Sequence, residues 1–108
     1  MHSSPVPWQV LSSHLGVGIL SEGWTLNVCE DEAEEVRHFC VNIVFASAFT
    51  AVPVVHLGLT GFDTDQRDSS RLTLKAENIT PSGFSAVIST WAASRVYAVE
   101  FDWLAIGS

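Results

Sequence analysis

The chain has 108 residues, enough for one domain with a single hydrophobic core. Five Lys and Arg stand against twelve Asp and Glu, a net charge of −7. That balance argues against nucleic acid and against an anionic membrane, because both need a basic patch to displace counterions. Apolar residues make up 47% and mean hydropathy is +0.27, yet no apolar run approaches the roughly 20 residues of a spanning helix.

The opening MHSSPVPWQV has neither a basic nor an apolar leader region, so no secretory signal is expected. Synthesis in the cytosol with non-classical release, or excision from a longer protein, both fit; the compartment stays unknown. From there on, helical periodicity is almost absent. Short runs rich in Val, Ile, Phe and Thr recur between Gly, Pro, Asp and Ser, which predicts an antiparallel sandwich or barrel. The predicted strands are Val17–Leu20, Trp24–Val28, Val36–Phe45, Val54–Leu59, Arg71–Asn78, Phe84–Thr90 and Val96–Ile106. Turns are expected at Thr60–Ser70 and at Pro81–Gly83, and one short helical piece at Glu30–Glu35.

Alternation at a period of two assigns the faces. Phe39, Val41, Ile43 and Phe45 form one inward row; Val55, Leu57 and Leu59 a second; Leu72, Leu74 and Ala76 a third. Phe84, Ala86 and Ile88 face in, as do Val99, Phe101 and Trp103, leaving Val87, Arg71 and Trp91 outside. The apolar excess is expected to be covered by contacts between copies.

Catalytic signatures are missing: there is no G-x-S-x-G, no H-E-x-x-H and no phosphate-binding glycine loop. His14, His38 and His56 are scattered, and Asp63, Asp65 and Asp68 fit ordinary turn chemistry. No enzyme, cofactor or metal site is expected. Cys29 and Cys40 lack metal-ligand spacing and read as two thiols or one bridge. The acidic run Glu30–Glu35 reads as a solvated loop or as a hydrogen-bond acceptor for a ligand, with calcium a third option. The triplet Asn78-Ile79-Thr80 matches a glycosylation site, but Pro81 and the lack of a leader make it a chance match.

What remains is Trp91, Arg95 and Tyr97 around a turn, together with Arg71. An outward tryptophan leaves a large apolar surface to be covered by a neighbour or a ligand. A sugar suits the second case, since its C–H face packs on an aromatic ring while its hydroxyls bind Arg and carboxylate.

The ordered motifs N42-I-V-F-A-S-A-F, P53-V-V-H-L-G-L-T-G-F-D63, R71-L-T-L-K-A-E-N-I-T-P-S-G-F84, T90-W-A-A-S-R-V-Y97 and F101-D-W-L-A-I-G107 resemble the H-type lectin domain. The resemblance runs from about Val36 to Gly107; the whole chain, 1–108, is taken as one such domain, with 1–35 weakly matched. It implies an all-β, six-stranded antiparallel β-sandwich that assembles as a trimer, sometimes paired into a hexamer. The implied ligands are terminal galactose and N-acetylgalactosamine, held at sites between neighbouring copies without metal. The implied binding residues are Arg71 and a carboxylate, Glu34 or alternatively Asp31, from one copy, and Trp91 and Tyr97 from its neighbour. Two departures matter: Ala92 stands where the family's snail agglutinin has a histidine, and the acid is Glu rather than Asp. They leave open a trimeric structural or adhesion module with a lost sugar site; a sugar-binding appendage cut from a glycosidase, suggested by the start of the chain, is a further alternative.

Overall fold

In the computed structural model, residues 8–28 and 36–108 are described. Six strands form: β1 (Gln9–Gly18), β2 (Arg37–Val44), β3 (Val54–Thr64), β4 (Thr73–Thr80), β5 (Gly83–Thr90) and β6 (Val96–Gly107). They make two three-stranded antiparallel sheets, ordered β1-β6-β3 and β2-β5-β4. This is the six-stranded antiparallel sandwich implied by the motifs.

The inner faces follow the alternation of the sequence. Ile43, Phe84, Ala86, Ile88, Val99, Phe101, Trp103 and Ala105 are buried between the sheets. Phe39, Val41, Val55, Leu57, Leu72, Leu74 and Ala76 pack against them. Near the β4–β5 hairpin, Phe45 meets Phe49, Phe84 and Trp103 with ring centroids 5.2–5.9 Å apart. Such tilted and edge-on aromatic contacts add to what burial itself contributes. The hairpin turns at Pro81–Ser82, and Gly83 is required there because a Cβ would run into the Ile43 carbonyl of β2.

Four expectations need correction. Leu59, expected in the inward row with Val55 and Leu57, is 44% exposed where β3 shifts register against β6. The first strand runs over Gln9–Gly18, not Val17–Leu20. Its inward Leu11, Leu15 and Val17 are separated by Ser12, Ser13 and His14, which mask the alternation. Trp24–Val28 is not a strand. Trp24 and Leu26 are buried because a turn drapes over one end of the sandwich, where the Trp24 indole donates to the Val96 carbonyl (3.0 Å) and packs at a tilt against Phe39, ring centroids 5.0 Å apart. Lastly, the turn expected over Thr60–Ser70 begins only after Thr64. The long strand β6 continues to Val96, and β3 keeps pairing with it through two register shifts. The helix expected at Glu30–Glu35 lies outside the described residues.

On the outer face of the second sheet, Val87 is 8% exposed although it points away from the core, lying between Cys40 and Lys75 in register. Cys40 is exposed, and Cys29 lies outside the described residues. Among the described residues no helix is long and apolar enough to cross a membrane.

Candidate functional site

The chain leaves β5 at Thr90 and enters β6 at Val96, so Trp91 to Arg95 must reverse direction in five residues. Ala92 takes φ = +58°, a left-handed conformation that costs energy in a residue with a Cβ. The turn is fixed by buried polar groups. Ser94, 1% exposed, donates its backbone N–H to the Trp91 carbonyl (3.4 Å), and its Oγ accepts the Arg71 N–H (3.1 Å). Thr90, fully buried, donates its hydroxyl to the Arg71 carbonyl at 2.5 Å. Arg71, just before β4, is thereby strapped by both backbone groups to the turn that carries Trp91.

Arg37, the first residue of β2, is a second strap. Its guanidinium donates to the carbonyls of Leu26 (3.3 Å), Val28 (2.5 Å), Ala92 (2.9 Å) and Ser94 (2.7 Å). It therefore joins the Trp24–Leu26 turn to the Trp91 turn, and a planar five-donor fork suits several carbonyls at once.

The segment after β3 is the third. The Asp65 N–H donates to the Arg95 carbonyl (2.9 Å), and Arg95 Nη1 lies 3.7 Å from Asp68 Oδ2. The Asp65 carboxylate accepts the backbone N–H and Nε of Arg67, both at 2.9 Å on Oδ1, and is ion-paired to Arg67 Nη2. The hydrogen bonds from Arg67 hold the Asp65 carboxyl well below the usual carboxylate range. The Tyr97 hydroxyl donates to Asp65 Oδ2 at 3.3 Å. From the other side, the Ile19 N–H donates to the Tyr97 carbonyl at 3.0 Å, and a Cβ on Gly18 would come within 2.5 Å of that oxygen. Glycine is needed where β1 passes Tyr97.

Arg71, Trp91 and Tyr97 consequently stand at one end of the sandwich, each half-buried. Trp91 is not among the core residues. Arg95, grouped with them in sequence, is turned toward Asp68. Glu34 and Asp31 lie outside the described residues. Arg37, Ser94 and Asp65 also belong to this end, although nothing in the sequence singled them out for it. An arginine opening an apolar strand was the available signal for Arg37; Asp65 was visible in FDTD but read as loop chemistry. Among the described residues, no group of three or more His, Cys, Asp or Glu could hold a metal ion.

Known proteins share this arrangement of motifs and strands. The model of the H-type lectin domain matches residues 41–106. The ATP synthase subunits region ORF 7 protein of Fuscovulum blasticum is 44% identical over 72 residues, 67% of this chain and 63% of that protein. Discoidin-2 of Dictyostelium discoideum is 35% identical over 72 residues, 66% of this chain and 26% of that protein. The solved structure of wild-type discoidin II from the same organism matches with a TM-score of 0.79 at 27% identity, covering 99% of this chain and 39% of that one. The chain thus spans less than two thirds of the length of each of these proteins.

Proposed function

We propose that this chain, which belongs to the H-type lectin domain family of non-catalytic carbohydrate-binding domains, is a multivalent lectin for terminal galactose or N-acetylgalactosamine. The observation that carries the reading is the rim itself. Arg71, Trp91 and Tyr97 are held at one end by buried polar straps, and Trp91 stays partly open to solvent. The indole stacks on the apolar face of the sugar, while Arg71 and the Tyr97 hydroxyl meet its oxygens. A carboxylate, Glu34 or Asp31, completes the set.

The site is completed between copies. Three copies, or two such trimers paired, present their sites together, and linking weak sites raises apparent affinity about 10²-fold on clustered glycans. An exposed apolar row across β1, β6 and β3, made by Val10, Ile106 and Val54, supports association through that sheet. The test is a calorimetric titration of the purified chain with galactose and N-acetylgalactosamine, repeated with Arg71→Ala. Saturable binding that the substitution abolishes upholds the lectin. An intact assembly that binds no glycan points instead to a structural or adhesion module, a reading favoured by Ala92, whose side chain offers no hydrogen bond next to Trp91.

A further inference from the structure

Asp65 is the most enclosed carboxylate at the sugar-binding end among the described residues, its side chain 9% exposed. An ionised carboxylate only accepts, with about four lone-pair directions. Oδ1 takes the Arg67 backbone N–H and Nε; Oδ2 takes the Arg67 guanidinium and the Tyr97 hydroxyl. Arg67 keeps the group anionic, so it has no proton to give. The proton in the Tyr97–Asp65 contact must be tyrosine's.

We propose that Asp65 is a positioning residue for the sugar site: by holding the Tyr97 proton it leaves the phenol oxygen an acceptor, so the ligand hydroxyl that meets Tyr97 must donate. The proposal rests on the lectin reading and deepens it. Arg71 is donor-only, and Tyr97 unconstrained could either give or take. With Asp65 in place, Arg71 supplies donors and Tyr97 an acceptor, so the site distinguishes the two ends of a sugar hydroxyl pair by hydrogen-bond direction. The FDTD segment, whose Asp65 lies 32 residues from Tyr97 in sequence, thereby sets part of the specificity.

The probes are galactose and its monodeoxy-monofluoro analogues, in which fluorine replaces one hydroxyl and can accept weakly but not donate. Wild-type protein is expected to lose about tenfold or more in affinity for the analogue fluorinated at the position facing Tyr97, and Tyr97→Phe to abolish that preference. In Asp65→Ala the tyrosine proton is released, and the hydroxyl-to-fluorine ratio at this one position should fall several-fold toward one. A merely structural role would lower affinity for all analogues by a common factor and leave the ratio unchanged; that result overturns the proposal. If Asp65→Ala does not fold, Arg67→Ala with Tyr97→Phe carries the test: a wild-type preference that survives in Tyr97→Phe overturns it. Absence of any galactoside binding by the wild type overturns the lectin reading together with this one, whereas binding with an unmoved ratio overturns this one alone.

Discussion

Trp91 shows how a single residue would link fold to the proposed function. A tryptophan closing a strand is normally drawn into the core, yet here the left-handed turn at Ala92 and the Ser94 straps hold it at the rim. Trp91→Ala should leave the melting temperature nearly unchanged and weaken galactoside binding at least about tenfold, or about 1.4 kcal/mol, measured by titration calorimetry. Asp65 makes a different prediction. Its carboxyl is depressed in the folded state, so its contribution is present above the unfolded value near pH 4 and is lost only as pH falls below it. Denaturant unfolding of wild type and Asp65→Asn should therefore differ by a constant amount from pH 8 to pH 5, and the gap should shrink progressively as pH falls below about 4.

At the scale of elements, the central organiser is Arg37 at the start of β2. It bridges two turns that contain few backbone hydrogen bonds of their own. Replacing it with methionine strands several carbonyls, and the loss should be about 3 kcal/mol of stability in denaturant unfolding, with sugar binding impaired as the Trp91 turn loosens. The elements also show what a sequence displays and what it hides. The inward rows of β2, β5 and β6 were legible because alternating large apolar residues leave one consistent register. β1 was hidden because serines, a histidine and glycines dilute its apolar face. Trp24 and Leu26 imitated a strand because a loop folded onto the core buries residues at a spacing of two without any ladder. For the rim, Arg71, Trp91 and Tyr97 were legible from motif order. The straps that gather them were not, since the Arg71 N–H to Ser94 Oγ bond and the bonds from Thr90 and Arg37 to distant carbonyls leave no periodic trace.

The whole molecule presents two unlike surfaces. One end carries the polar rim; the outer face of the β1-β6-β3 sheet carries Val10, Ile106 and Val54 beside Glu100, Asp102, His14 and His56. His14 Nδ1 lies 2.6 Å from Asp102 Oδ1 there. If this sheet joins the copies, Val54→Asp combined with Ile106→Asp adds charge to an already acidic face and should yield monomers by light scattering, with glycan binding lost although the rim is untouched.

Assembly and recognition become one question when the two halves of the site are separated on different chains. Arg71→Ala and Trp91→Ala proteins, each expected to bind galactose far more weakly than wild type on its own, are co-expressed and the mixed trimers of the proposed assembly titrated with the sugar. A pocket shared between neighbours predicts recovery, with one intact pairing of Arg71 and Trp91 in every mixed trimer. Mixed trimers that form yet bind no sugar would rule the shared pocket out.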